Sequence, residues 1–97
     1  MSYDMQIADE DFNYTYNVSG MWYASQPDKG IRTIYGMTGM EAAKVINEMM
    51  NYMVDHWIEM LSMNPINGWG SAEGAYDFLA RLSAASMRNV DAVWEGD

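Results

Sequence analysis

One histidine, no cysteine, and fourteen carboxylates against five basic side chains define what chemistry this chain can perform. Without cysteine there is no thiolate nucleophile, disulfide or thiolate metal ligand. His56 stands alone, so one chain cannot build a histidine metal site, and its neighbours Asp55 and Glu59 look outward from the same helix. A general base also needs a positioned partner, and beside Tyr52 the imidazole reads as a partly buried helix residue. Ser19, Ser25, Ser62, Ser71, Ser83 and Ser86 are hydroxyl nucleophiles in principle, yet none lies in a Gly-x-Ser-x-Gly context. The run from Gly68 to Gly74 has the look of a glycine-rich phosphate loop, but no strand precedes it, so it reads as a helix cap with flexible glycines and an anchoring Trp69. The expectation is a protein that binds, with no catalytic residue, metal or cofactor.

Two groups of residues are candidates for that binding. Tyr14, Tyr16, Trp22, Arg32, Asn67 and Trp69 combine amphipathic rings, amides and one guanidinium, the components of a pocket for a nucleotide-like small molecule. Glu41, Glu48, Asp55 and Glu59, with Met53 and Trp57 beside them, compose instead a face for a protein partner. Eleven methionines, with Met49, Met50, Met53 and Met60 along one helix, are either core filling or an adaptable contact surface, and a homodimer on that surface is expected.

The elements that carry these residues follow from periodicity. Tyr3, Met5 and Ile7 alternate with polar residues, and Phe12, Tyr14, Tyr16 and Val18 alternate with Asn13, Thr15 and Asn17, which predicts a hairpin of strands 3–7 and 12–18. Ser19 is placed to cap one or two helical turns through Met21–Ala24, ended by the turn Gln26-Pro27-Asp28-Lys29-Gly30. Ile31 and Ile34 repeat at helical spacing until Gly36. Thr38-Gly39-Met40-Glu41 is a capping box opening a long helix over 39–63, stopped by Asn64-Pro65. Its inner stripe is Ala42, Ile46, Met49, Met50, Met53, Trp57, Met60 and Leu61, flanked by Val54 and Ile58, so the apolar arc covers roughly two-thirds of the circumference. Ser71 caps a last helix over 72–89 with Ala75, Phe78, Leu79, Leu82, Ala85 and either Met87 or Val90 inward and Glu73, Asp77, Arg81 and Arg88 outward. Val93 and Trp94 fold back onto the core. The expected fold is mainly α in an α+β arrangement, one domain over 1–97: a small N-terminal β-hairpin packed on two to four helices with one long central helix.

A net charge of −9 repels nucleic acid and attracts a basic protein surface. No stretch approaches the length of a membrane span, and the first residues lack the layout of a secretory signal, so a cytoplasmic location is expected.

The segments Asn13-Tyr14-Thr15-Tyr16-Asn17-Val18, Gly36-Met37-Thr38-Gly39 and Asn64-Pro65-Ile66-Asn67-Gly68-Trp69-Gly70-Ser71 resemble a family of small proteins encoded by tailed bacteriophages. The resemblance spans most of the chain and implies work inside an infected bacterium, but brings no activity, cofactor or site residue. The leading expectation is therefore an acidic interaction protein that occupies a basic nucleic-acid-binding surface of a host protein, as an anti-defence inhibitor would. The alternatives are a nucleotide sponge built on the aromatic and Asn loops, and a structural or assembly accessory protein.

Overall fold

The alternation at the N-terminus folds as expected. In the computed structural model, which describes all 97 residues, β1 (Ser2–Ile7) and β2 (Glu10–Thr15) form an antiparallel hairpin. Its two-residue turn places Ala8 at φ 53°, the left-handed geometry that such tight hairpins require. Tyr3, Met5 and Ile7 point into the core and Asp4 and Gln6 point away from it.

The second strand stops three residues earlier than its alternation predicts. Thr15 accepts the Asn17 N–H on its Oγ1 and starts a 3-10 turn over Tyr16–Val18, which buries Val18 at the entrance of α1 (Ser19–Ser25). Val18, not Ser19, is the capping residue of α1, and it makes no side-chain cap. Ile31 and Ile34 are both buried in a 3-10 helix, Gly30–Ile34, whose three-residue turn matches their spacing.

The capping box opens α2 (Gly39–Asp55) as predicted. Thr38 Oγ1 accepts the Glu41 N–H, and Glu41 Oε1 accepts the Thr38 N–H in return. The helix does not run on to Met63. It breaks at His56, whose backbone lies at φ −119°, ψ 35°, and resumes as α3 (Trp57–Ser62). With the chain broken there, Met60 is fully buried and Trp57 half-buried against the core.

Ser71 caps α4 (Ala72–Arg88) by accepting the Gly74 N–H, and α4 packs along α2. Of the two alternatives for its last inward position, Met87 is exposed and Val90 half-buried. Of the two tail residues expected on the core only Trp94 returns to it, Val93 being 46% exposed; Trp94 opens β3 (Trp94–Gly96), which joins the other side of β1, giving the sheet order β2-β1-β3. Trp94 is fully buried, and its backbone is also tied to Gly36 and Met37. One apolar cluster links the inner face of the sheet to α1, α2, α3 and α4. No helix is long and apolar enough to cross a membrane.

Candidate functional site

The break at His56 leaves an apolar surface uncovered. Val54 in the last turn of α2 and Ile58 in the first turn of α3 are 56% and 80% exposed, although both belong to the flank of the helix's apolar arc. Beside them Trp57 and Tyr76 of α4 meet edge to face, with ring centroids 6.3 Å apart and an interplanar angle of 85°. Val54, Trp57, Tyr76 and Glu73 line an open groove of about 530 Å³ between the broken helix and α4. Its walls come entirely from helices.

One carboxylate, Glu73, lines that groove on the α4 wall, and Asp55 and Glu59 are exposed beside Val54 and Ile58 in the chain. Neither of the protein's two salt bridges involves these three: Arg81 pairs with Asp77 at 3.3 Å, and Arg88 pairs with Glu10 at 2.6 Å. The expected acidic face of Glu41, Glu48, Asp55 and Glu59 is thus split in use. Glu41 is committed to the capping box, which pulls its carboxyl below the usual range by hydrogen bonds from Thr38. Lys44 stands between Glu41 and Glu48 at helical spacing, whereas Glu48, Asp55 and Glu59 continue toward the groove without a cation in the run.

Met53 does not belong to this surface. It is fully buried, as are Met49 and Met60, so these methionines are core filling within one chain, and α2 is covered mainly by α4, α1 and the 3-10 helix Gly30–Ile34. Trp57 is half-buried and does reach the groove. Tyr76 and Glu73 were missing from the residues singled out in the sequence; Tyr76 follows Ala72 by one turn at the margin of the α4 stripe, the position where an aromatic ring serves both core and surface.

The second candidate group is not brought together. Trp22 is fully buried and packs its ring against Tyr3, Tyr14 and Phe78. The Tyr14 ring stacks on Phe78 at 5.2 Å, so both rings serve the core. Arg32 lies over the rings of Tyr3 and Tyr16, 4.9 and 5.1 Å from their centroids, and donates to the Tyr16 hydroxyl. These contacts occupy one Nη and the face of the guanidinium that was to hold a ligand's anion, and leave its buried Nε without a partner. Asn67 accepts the Trp69 N–H on its own side chain, closing the loop locally. Only Trp69, 70% exposed, faces an open trough, shared with Ser2, Asn13, Thr15 and Asn17.

His56 is exposed, stacks on Tyr52 with ring centroids 3.9 Å apart, and bonds the Tyr52 carbonyl through Nδ1. That contact ends α2 and faces no carboxylate in hydrogen-bond range. The outer face of the sheet gathers Asp4, Asp11, Glu95 and Asp97 in a shallow depression, but no three His, Asp or Glu side chains anywhere are arranged to hold a metal ion. Comparison with protein-family models, with curated proteins and with solved structures finds no match.

Proposed function

We propose that the protein acts by binding, as an acidic interaction protein whose partner presents a basic surface beside an apolar anchor. The observation that carries this reading is the open groove of Val54, Trp57 and Tyr76 with the unpaired carboxylate of Glu73 in its wall, on a helix pair that also exposes Ile58 and the unpaired Asp55 and Glu59. A monomer gains nothing by leaving such a strip wet. The unpaired charges beside it speed encounter with a cationic partner and disfavour an anionic one.

The net charge of −9 adds a long-range field of the same sign, against direct binding of nucleic acid. The likeness to tailed-phage proteins directs the search to a bacterial host and, within it, to proteins whose nucleic-acid-binding surfaces are basic. Inhibition of a host defence protein is the form of the reading that unites charge, size and setting. The small-molecule alternative is weaker, since Trp22 is sealed in the core and Arg32 is engaged by Tyr3 and Tyr16.

Immobilised protein offered to a bacterial extract tests the reading. A bound partner should be retained at about 0.1 M salt and released toward about 1 M, as the screening length falls from about 10 Å to about 3 Å. It should be lost when Glu48→Gln, Asp55→Asn and Glu59→Gln are combined. Retention that ignores both salt and these substitutions would overturn the proposal.

A further inference from the structure

We infer that the groove between α3 and α4 takes an amphipathic α-helix with lysine or arginine along its flanks, a deepening that rests on the basic-partner reading above. Three features of the groove select this occupant over others.

The first is that every wall is helical. Val54 and Trp57 come from the broken helix α2–α3, and Glu73 and Tyr76 come from α4. An extended peptide laid there would find no strand edge, and its N–H and C=O groups would be desolvated against apolar rings without partners. A helix satisfies its own backbone and presents side chains only.

The second is the exposed apolar surface. Val54 lines the groove with the Trp57–Tyr76 edge-to-face pair, and Ile58 is exposed one residue beyond Trp57. An apolar groove between helices is what an amphipathic helix fills with its own side chains at i, i+3 or i+4, and i+7.

The third is charge. Glu73 lines the groove, Asp55 and Glu59 are exposed on the broken helix that forms its other wall, and none of the three is in a salt bridge. A second copy of this chain would bring the same acidic rim against itself, because a two-fold interface sets a patch against its own image. That places uncompensated carboxylates opposite one another on a chain already at −9. A cationic helix reverses the sign of every one of those encounters. The homodimer expected from the methionine stripe thus loses its surface to the core and finds none here.

The test uses the full protein and two synthetic peptides of about 18 residues, long enough for about 27 Å of helix. One arranges Leu and Lys at helical period; the other has the same composition scrambled so that no apolar face forms. The expected result is binding of the first with a gain of peptide helicity by circular dichroism and a shift of the Trp57 indole resonance. Binding of the scrambled peptide should be at least about tenfold weaker. Val54→Ser with Ile58→Ser should weaken the first peptide by at least about tenfold, with the fold intact because both side chains are exposed.

Equal binding of the two peptides, or binding without helix formation, overturns the helix-in-groove inference; if that binding is still lost with Glu48→Gln, Asp55→Asn and Glu59→Gln, the basic-partner reading stands alone. Unchanged affinity in that acidic-to-neutral variant overturns the basic-partner reading itself. Concentration-dependent self-association of the wild-type chain that disappears with Val54→Ser and Ile58→Ser would assign the groove to a second copy instead.

Discussion

Ser86 is the one fully buried polar residue, and replacing it by alanine tests how the C-terminal tail is locked to the helices. The Trp94 indole N–H donates to Ser86 Oγ at 2.9 Å, and the Ser86 hydroxyl donates in turn to the Leu82 carbonyl at 2.8 Å. Ser86→Ala removes the acceptor and leaves the Trp94 N–H buried without a partner, which costs about 1–3 kcal/mol. Alanine returns about 0.5 kcal/mol through its higher helix propensity. The net expectation is a loss of about 0.5–2.5 kcal/mol, with a fall in Tm of roughly 4–8 °C per kcal/mol for a domain of this size. In a Trp94→Phe background no indole N–H remains to be orphaned, so the same Ser86→Ala change should be close to neutral, within about 0.5 kcal/mol. Urea unfolding of the four proteins with an unchanged m-value gives the coupling directly. A cost that is the same in both backgrounds, or a single-mutant cost below about 0.5 kcal/mol, would refute the claim that this relay holds β3 in place.

The placement of the broken helix's residues is tested by contrast: Met53→Ala should cost about 2–5 kcal/mol as a core deletion, whereas Ile58→Ala should stay within about 0.5 kcal/mol in the same denaturation assay. Gly39→Ala would set a Cβ 2.2 Å from the Asn89 carbonyl oxygen and 2.4 Å from that of Ser86; since both obstacles are backbone, a loss of at least about 2 kcal/mol is expected by urea unfolding. Acid stability should depend on Glu10 and Glu41. Their carboxyls are held below the usual carboxylate range, Glu10 by hydrogen bonds from Arg88 and Asn89 and Glu41 by those from Thr38. A depressed folded pKa contributes stability that is present above the unfolded value and is lost as pH falls through the folded one. The acid limb of a Tm-versus-pH curve should therefore steepen below about pH 4.5 and flatten in Glu10→Gln and Glu41→Gln.

Much of the architecture could be read locally because the signals are local. The alternation of Tyr3, Met5 and Ile7, the reciprocal capping of Thr38 and Glu41, and the Ser71 cap each depend on residues within a few positions of one another. The break at His56 was not legible, because neither glycine nor proline marks it and the helical pattern of Met53, Trp57 and Met60 continues across it. The third strand was missed for a related reason. Trp94–Gly96 is too short to show a period, and it becomes a strand only because β1 offers it an edge about ninety residues away in sequence.

What the sequence by itself determined is the class of the protein and the sign of its interactions: a mainly helical domain with an N-terminal hairpin, and a surface that favours cations. The tertiary structure decided which apolar residues remain for a partner. Periodicity places Met53, Val54, Trp57 and Ile58 within one broad arc, and only the packing of α1, α4 and the 3-10 helix Gly30–Ile34 around the helix buries Met53 while leaving Val54 and Ile58 in water. Burial depends on what comes to lie against a helix from elsewhere in the chain, and no spacing within the helix encodes that.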